Sequence, residues 1–346
     1  MSSKFLLSLL ACLRKDRSSF LDNGSILLED LIASCDGKCN PIRNYSADEV
    51  IRATKNFDPS GIMQKDSSYK MFQGFIDNRS VIIKKYFTVN WLAVEKTRSM
   101  AFRDIVISIQ MSNHTNVLKL LGCCLEFPIP ALVYESAAKG VLNWDGGFGD
   151  NEALPWKARL RIAKQFANAV TYLHTAFPRP IILRDLKPNC IFLDNDYVPK
   201  LCNFAISITI PPLQSHVEDV VIGTFGYLDP TYFENNSISL KTDVYSFGII
   251  LLVFLTGRQA LQINQAGEYE GLIEYVKSHA CSGQIQTIMD PKISVEVGAA
   301  DQAHQQFHDF LALALLCTRD DSEARPDMID VTKELVRIEK LGCTSN

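Results

Sequence analysis

The spacing of apolar residues changes along the chain. The first third contains short apolar runs, and the rest contains longer segments with helical spacing. Residues 81–87 are rich in β-branched side chains and predict a strand, whereas near-helical apolar spacing predicts a helix over 102–111. The same criteria predict further strands at 116–122 and 131–134, and further helices at 156–175, 242–255 and 306–317. The pattern favours an α+β protein with a small strand-rich N-terminal lobe and a larger helical C-terminal lobe, joined near Glu135.

A helix start marks the beginning of the predicted N-terminal lobe. Ser46 is followed three positions later by Glu49 and then by the apolar Val50, which is the pattern of a capping box. We therefore predict a short extension followed by one two-lobed domain, with these bounds: 1–44 for the extension, 45–341 for the domain, and about 45–134 and 135–341 for its lobes.

The predicted extension contains one short apolar run, at residues 5–13, which is too short to span a bilayer. Basic residues follow it at 14–17, where a signal peptide has a small-residue cleavage site, and Ser2 excludes N-myristoylation. Two interpretations stay open: the run docks on a partner or packs on the domain, or it contacts a membrane with Cys12 lipidated. We predict a cytoplasmic protein without a transmembrane segment, with peripheral attachment to the plasma membrane as the alternative.

The amino-acid composition argues against several classes of function. The 346 residues are 47% hydrophobic and 21% charged, and the net charge of −4 argues against a general nucleic-acid surface. The ten cysteines lack the paired CxxC spacing of a zinc site or a disulfide framework. These numbers predict a globular protein with reduced thiols, without nucleic acid among its partners.

Residues 181–205, IILRDLKPNCIFLDNDYVPKLCNFA, resemble the catalytic core of a protein kinase without its metal ligands. The resemblance implies that Asp185 and Lys187 stand at the positions of the catalytic base and its neighbouring lysine. The two metal-binding positions are occupied by Cys190 and Asn203. Magnesium prefers carboxylate oxygens, whereas a thiol is a soft ligand and an amide carries no charge. We therefore predict no metal site and vestigial catalytic residues.

The phosphate loop of a kinase needs glycines because backbone amides must approach the phosphates closely. Aligned without gaps, its three glycine positions fall at Gln64, Asp66 and Tyr69. A carboxylate at position 66 repels phosphate, and a ring at position 69 crowds it. The loop is therefore predicted to be degenerate, with a remodelled loop that still covers ATP as the alternative.

Lys84 matches the kinase lysine that contacts the nucleotide phosphates. Counted back from residues 113–114, the glutamate that pairs with this lysine falls at Ile105, so the ion pair is predicted to be absent. Asp104 replaces the glutamate only if the helix is rotated by one residue. Without a partner, Lys84 is interpreted either as a vestigial nucleotide lysine or as a solvated strand lysine.

The activation segment, residues 203–232, also departs from the kinase pattern. Its last motif reads Asp229-Pro-Thr231 where a glutamate normally pairs with the arginine matched here by Arg325. An unpaired buried arginine is costly, so another acceptor exists or the segment packs differently. Four hydroxyl residues are candidate partner-binding or modification sites, with ordinary solvated hydroxyls as the alternative: Ser207, Thr209, Ser215 and Thr224. In the helical lobe, Asp243 matches the aspartate that binds the catalytic-loop backbone, and His174 is interpreted as a structural histidine.

Seven motifs in order resemble plant receptor-like kinases, related to the wall-associated group: ATKNF at 53–57, VIIKK at 81–85, NVLKLLGCCLE at 116–126, LVYE at 132–135, GTFGYLDPTY at 223–232, KTDVYSFGIILLVFLTG at 241–257 and ARPDM at 324–328. With the degenerate metal and phosphate motifs, the chain is identified as a member of the ZRK-type receptor-like cytoplasmic pseudokinases. The resemblance implies a two-lobed protein-kinase fold and no enzyme activity.

The same resemblance implies a role as an adaptor in plant innate immunity. The expected partners are the leucine-rich-repeat part of an NLR receptor and either a bacterial effector or a kinase that an effector has modified. No cofactor is expected, and binding of ATP and magnesium is expected to be weak or absent. The alternatives are a weakly active serine/threonine receptor-like cytoplasmic kinase and a generic signalling scaffold.

Overall fold

The computed structural model describes residues 3–35, 42–88, 93–148, 153–263, 267–298 and 301–341, and within these ranges it describes the side chains except at 3–17, 35 and 295. The chain forms two compact units. One contains the residues up to 137 together with 202–205, and the other contains 138–201 and the residues from 206 onward. The first is built on a sheet and the second on helices, as the predicted α+β class requires.

The described residues of the first unit form a six-stranded sheet and three α-helices. The strands lie in the order β1-β5-β6-β4-β3-β2, with these bounds: β1 Arg43–Asn44, β2 Ile62–Lys65, β3 Tyr69–Ile76, β4 Arg79–Tyr86, β5 Leu120–Cys124 and β6 Ala131–Glu135. The helices are α1 Ser3–Cys35, α2 Ala47–Ala53 and α3 Val94–Gln110. Strands β3 and β4 form a hairpin whose turn residues, Asp77 and Asn78, both have positive φ, as a two-residue hairpin turn requires.

Strand β4 confirms the strand predicted at 81–87, and its register sets the position of Lys84. Val81, Ile82 and Ile83 are buried, and Lys84 lies opposite Met71 of β3 and Leu132 of β6. The capping box is confirmed as well, because the Ser46 side chain accepts the Glu49 amide while Glu49 accepts the Ser46 amide.

The strand predicted at 116–122 begins later than expected, at Leu120. Before it, the Asn116 amide donates to His114 Nδ1 at 3.1 Å, and the Val117 amide donates to the His114 carbonyl at 3.2 Å. Val117 and Leu118 are buried, so the run is apolar because it packs in the core. A continuous apolar run cannot by itself distinguish a strand from a buried turn.

Helix α1 covers most of the predicted extension and packs on the first unit. Its buried Asn23 donates through Nδ2 to the carbonyls of Leu125 (2.9 Å) and Phe127 (3.0 Å), and Leu27 is buried beside it. At the other end, Gln110 Nε2 of α3 donates to the carbonyl of Ser34 at 3.1 Å. The side chains of the apolar run at 5–13, with Cys12, lie outside the described residues.

In its described part, the second unit consists of seven helices, one small three-stranded sheet and three strand pairs. The helices are α4 Trp156–Thr175, α5 Pro230–Asn235, α6 Leu240–Thr256, α7 Leu272–Cys281, α8 Pro291–Gly298, α9 Asp301–Cys317 and α10 Met328–Leu341. The strands are β7 Gly140–Val141, β8 Ile181–Ile182, β9 Ile191–Leu193, β10 Pro199–Leu201, β11 Ile208–Thr209, β12 His216–Glu218, β13 Ser237–Ser239, β14 Leu261–Ile263 and β15 Tyr269–Gly271. Helices α4, α6 and α9 confirm the three long helices predicted for this region.

Helix α6 is the central element of the second unit, since nearly its whole length is buried. A helix that is apolar on all sides needs neighbours on all sides. Phe247 stacks on Phe166 of α4 with ring centroids 5.7 Å apart. In the part of the chain that the structure describes, no helix combines the length and the apolar character needed to cross a bilayer.

Candidate functional site

Lys84 is fully buried in the first unit and pairs with a carboxylate of α3. Its Nζ lies 2.7 Å from Asp104 Oδ2, and both side chains are at most 1% exposed. The prediction that this ion pair is absent was therefore wrong. The gap-free count placed Ile105 opposite the lysine, but neighbouring helix positions differ by about 100°. The helix orientation that the sequence allowed only as an exception, with Asp104 as partner, is the one observed.

Asn203 is a second hydrogen-bond acceptor for this lysine. Its Oδ1 accepts a hydrogen bond from Lys84 Nζ at 2.7 Å. Asn203 has a φ of 73°, in the left-handed region that asparagine tolerates better than most residues. The Phe204 amide donates to Asp104 Oδ1 at 2.9 Å, and the Tyr86 hydroxyl donates to Asp104 Oδ2 at 2.7 Å. The buried group therefore contains one cation and one anion.

Two aromatic rings cover the ammonium group. Lys84 Nζ lies 3.9 Å from the ring centroid of Tyr69 and 5.0 Å from that of Tyr86, within the range of cation–π attraction. The rings contact each other edge to face, and the Tyr69 hydroxyl accepts a hydrogen bond from Gln64 Nε2 at 3.1 Å. Burial, followed by the charge of Asp104, raises the pKa of Tyr86 well above its ordinary value. Gln64 and Tyr69, at two of the three glycine positions, are thus buried on strands of the sheet.

The third, Asp66, lies in the turn between β2 and β3. Its amide donates to the Tyr69 carbonyl at 3.0 Å, and its Oδ1 accepts the Ser67 amide at 2.6 Å. A phosphate loop binds through backbone amides that point at the ligand. Here the amides of residues 66 and 67 already have partners within the turn. The loop predicted to be degenerate is therefore a short turn whose amides bond to groups of the turn itself.

A second polar cluster lies in the other unit, around Asp185. Thr224 Oγ1 donates to Asp185 Oδ1 at 2.6 Å, and Lys187 Nζ lies 2.7 Å from Asp185 Oδ2. Lys187 also donates to Thr224 Oγ1 at 3.0 Å, and its ammonium lies 5.8 Å from the ring centroid of Trp144. Thr224, a candidate for partner binding, is therefore part of the same cluster as the two predicted catalytic residues. Both oxygens of the Asp185 carboxylate are engaged.

Cys190 is buried beneath this cluster. Its thiol donates to the Asp185 carbonyl at 3.3 Å, so it binds backbone. Nearby Tyr227 is also buried, and burial raises its pKa, with further contributions from Cys190 and Asp185. Among the described residues, no group of three or more histidine, cysteine, aspartate or glutamate side chains is arranged to hold a metal ion.

Asp243 of α6 binds the backbone of the catalytic loop. Its carboxylate accepts the amides of Leu183 (2.8 Å) and Arg184 (3.0 Å), and His174 Nε2 lies 2.9 Å from Asp243 Oδ2. These contacts agree with the predicted structural roles of Asp243 and His174. Charge-assisted bonds to two successive amides fix the loop backbone at this point.

Arg325 has a carboxylate partner at the end of the activation segment. Its Nη1 lies 2.8 Å from Asp229 Oδ2 and its Nη2 donates to Asp229 Oδ1 at 2.9 Å, with both side chains at most 2% exposed. Asp229 also accepts the Thr231 amide at the start of α5. Of the two alternatives drawn from the sequence, the one with another acceptor is observed, and that acceptor is two residues before Thr231.

The remaining candidates in the segment differ in exposure. Ser207 is fully buried, whereas Thr209 and Ser215 are exposed. Sequence reasoning missed two residues that matter here: Tyr86, whose signal was an aromatic residue two positions after Lys84, and Asp219. The Asp219 carboxylate lies 2.9 Å from Nη1 of the buried Arg184, and its signal was an acidic residue inside the activation segment.

A model of the protein kinase domain family matches residues 70–335. Serine/threonine-protein kinase ZRK1 of Arabidopsis thaliana is 43% identical over 331 residues, which cover 94% of this chain and 94% of that protein. Non-functional pseudokinase ZRK2 of the same plant is 44% identical over 327 residues, covering 93% and 90%. Wall-associated receptor kinase-like 1, also of Arabidopsis thaliana, is 32% identical over 327 residues, covering 94% of this chain and 44% of that protein.

Proposed function

The chain belongs to the ZRK group of the protein kinase family, and we propose that it is a pseudokinase that acts as a binding adaptor in plant innate immunity. The observation that carries the proposal is the closed environment of Lys84. Its ammonium donates to Asp104 and Asn203 and faces the ring of Tyr69, so a phosphate reaches it only by displacing these groups.

Displacement of these groups is unfavourable for two reasons. The Tyr69 side chain is only 2% exposed, so moving its ring opens a cavity in the sheet. A phosphate also brings negative charge next to the buried Asp104 carboxylate, and like charges in a low-dielectric site repel strongly. We therefore expect ATP to bind weakly or not at all.

The residues at the two metal-binding positions also lead us to expect weak or absent binding of ATP and magnesium. Cys190 is a thiol that donates to a backbone carbonyl, and Asn203 is a neutral amide whose oxygen already accepts from Lys84. Magnesium requires hard oxygen ligands and gains little from either group. These residues do not fit a magnesium site, and we derive no phosphoryl-transfer step for this chain.

The adaptor role is supported by the exposed face of the activation segment and α5. Four large apolar side chains are exposed there, at 55% or more: Leu213, Val220, Phe225 and Phe233. Exposed aromatic and aliphatic residues on an anchored backbone are typical of protein-binding surfaces. We propose that this surface binds an effector-modified receptor-like cytoplasmic kinase or a bacterial effector, while another surface binds the leucine-rich-repeat part of an NLR receptor.

Residual serine/threonine kinase activity is the second candidate function. The observation in its favour is the intact group of Asp185, Lys187 and Thr224, and the name of the relative ZRK1 is that of a kinase. A positioned base is not sufficient for phosphoryl transfer, because most of the acceleration comes from positioning the phosphate and neutralising its charge. We therefore place this function second.

The test is to measure ATP and magnesium binding by calorimetry and autophosphorylation by intact mass on the same purified samples. We expect neither binding nor turnover in the natural chain, as in an Asp185→Ala control. Asn203→Asp together with Cys190→Asn restores the metal ligands, and a gain of magnesium binding in that variant identifies the missing groups. Turnover in the natural chain above the Asp185→Ala control would refute the pseudokinase proposal.

The adaptor part needs a separate measurement with purified partners. We expect Phe225→Asp to weaken binding to an effector-modified kinase at least tenfold, because it places a charge in an apolar contact. Phe75→Asp on β3 is the matched control, since Phe75 is 63% exposed and lies outside the segment. Equal binding by both variants would remove the activation segment from the proposed interface.

A further inference from the structure

Arg184 is a buried cation whose side-chain hydrogen bonds all reach the activation segment. Its guanidinium is 2% exposed, and Nη1 lies 2.9 Å from Asp219 Oδ2. Nη2 donates at 2.7 Å to both the Val220 carbonyl and the Tyr232 hydroxyl. The residue has a φ of 70°, so its backbone is held in the sparsely populated left-handed region. Nη1 also lies 3.5 Å from the Ile206 carbonyl, so one side chain of the catalytic loop binds the segment at four positions.

The contacted residues are also connected to one another. The Tyr232 hydroxyl donates to the Val220 carbonyl at 2.5 Å and accepts the Ile222 amide at 3.0 Å. Asp219 follows β12 directly, and its amide donates to the Asn236 carbonyl at 3.0 Å, continuing the pairing of β12 with β13. Asp219 therefore connects the end of the β12–β13 pair to the Arg184 side chain.

Among these partners, only Asp219 brings a negative charge. A carbonyl and a hydroxyl satisfy hydrogen bonds, but a buried guanidinium without a counter-ion is strongly destabilising. In regulated kinases a phosphate added to the activation segment supplies this charge by pairing with arginine and orders the segment. Here a side chain of the chain itself supplies it, at hydrogen-bonding distance.

The hydroxyl candidates of the segment are placed elsewhere. Thr224 bonds Asp185 and Lys187, and Ser207 is buried. Thr209 and Ser215 are exposed, and the contacts of Arg184 do not include them. No modified hydroxyl is needed to neutralise the arginine.

We propose that Asp219 is a permanent substitute for a phosphate on the activation segment, so that the segment is anchored to Arg184 in the unmodified protein. The apolar residues next to the anchor, Val220 and Phe225, are then presented without prior phosphorylation. The use of that surface rests on the proposed adaptor function, whereas the order of the segment is a property of this chain alone and is measured without any partner.

The experiment compares Asp219→Asn with Glu218→Gln. Both variants remove one negative charge at adjacent positions, but Glu218 lies on exposed β12 and makes no ion pair in the described structure. Hydrogen–deuterium exchange of peptides covering 206–232 is followed by mass spectrometry in full-length protein. Loss of a charge-assisted bond predicts at least about tenfold faster exchange in Asp219→Asn and an unchanged rate in Glu218→Gln. Equal exchange in Asp219→Asn and the natural chain would overturn the proposal.

Two further measurements separate the effect of the Asp219 charge from a general loss of stability and from phosphorylation. Asp219→Glu keeps the charge, so its segment should stay more protected than that of Asp219→Asn, even if both variants melt at a lower temperature. Treating the natural chain with phosphatase should change neither its mass nor its protection. Loss of protection after phosphatase treatment would mean that a phosphate holds the segment and would overturn the role of Asp219. If Asp219→Asn loosens the segment but partner binding stays the same, the anchor stands and the proposed interface fails.

Discussion

The two polar clusters, around Lys84 in the first unit and around Asp185 in the second, differ in how far they are closed to solvent. At Lys84, the cation is enclosed by Asp104, Asn203 and two aromatic rings, and the side chains of the ion pair are at most 1% exposed. At Asp185, the carboxylate is 11% exposed and keeps both a lysine and a threonine partner. The first cluster is closed around its charge, whereas the second is partly exposed and keeps Asp185 and Lys187, with Cys190 in place of the metal-binding asparagine.

The difference follows from what each polar group holds. In the second unit, carboxylates that bind backbone or arginine are present: Asp243 holds the loop, Asp229 holds Arg325 and Asp219 holds Arg184. Each contact stabilises a backbone position whether or not a nucleotide is bound. The metal positions and the glycine positions of the kinase motifs carry Cys190, Asn203, Gln64, Asp66 and Tyr69. The carboxylate contacts therefore support the fold of the second unit without any ligand.

The largest effect is expected from Lys84→Met. The change leaves the Asp104 carboxylate buried without its cation, and removing one partner of a buried pair typically costs about 3–5 kcal/mol. The free energy of unfolding is measured by urea titration followed by circular dichroism. Lys85→Met is the control, because the neighbouring ammonium is half-buried over the Phe57 ring and has no buried carboxylate. Similar losses in both variants would show that Lys84 is as solvated as its neighbour.

Asp185→Asn is expected to have a smaller effect. The change removes the negative charge that Lys187 and Thr224 share, and charge-assisted hydrogen bonds contribute about 1.5–3 kcal/mol. Asp196→Asn, an exposed position of the same unit, should leave the urea midpoint unchanged. A loss as large as that of Lys84→Met would erase the distinction between a closed cluster and a partly open one.

Thr224→Val tests the contribution of the activation segment to the second cluster. The variant keeps the shape of the side chain but loses the hydroxyl that donates to Asp185 and accepts from Lys187, for an expected loss of about 0.5–1.5 kcal/mol. The exposed Thr209→Val serves as the reference in the same titration. An unchanged midpoint in Thr224→Val would mean that Asp185 and Lys187 hold each other without the segment.

The smallest effect concerns pH and His114, which follows the helix carrying Asp104. Burial lowers the pKa of His114 below 6.5, so the unfolded chain binds the proton more readily than the folded one. This contribution to stability is present above pH 6.5 and is lost as the pH falls below it. Thermal melts from pH 8 to pH 5 should fall less steeply in His114→Asn than in the natural chain. Parallel pH profiles would assign the acid sensitivity to other groups.

Local pattern was enough to predict much of the fold. The capping box at Ser46, the β-branched strand before Lys84 and the long helix of α6 all depend on neighbours in sequence, and all three are observed. The same reasoning placed Leu120 inside a longer strand than the one formed, because buried turns and strands share apolar composition.

The chemical groups at the kinase positions can be read directly from the sequence: a thiol and an amide for the metal, and no glycine at the phosphate turn. Which of these groups come into contact depends on the fold. Asp104 rather than Ile105 faces Lys84, Tyr69 covers the ammonium, and Asp219 reaches Arg184 across 35 positions of sequence. The physical reason is that a helix rotation or a segment path is set by total burial and charge pairing, which no single stretch of sequence contains.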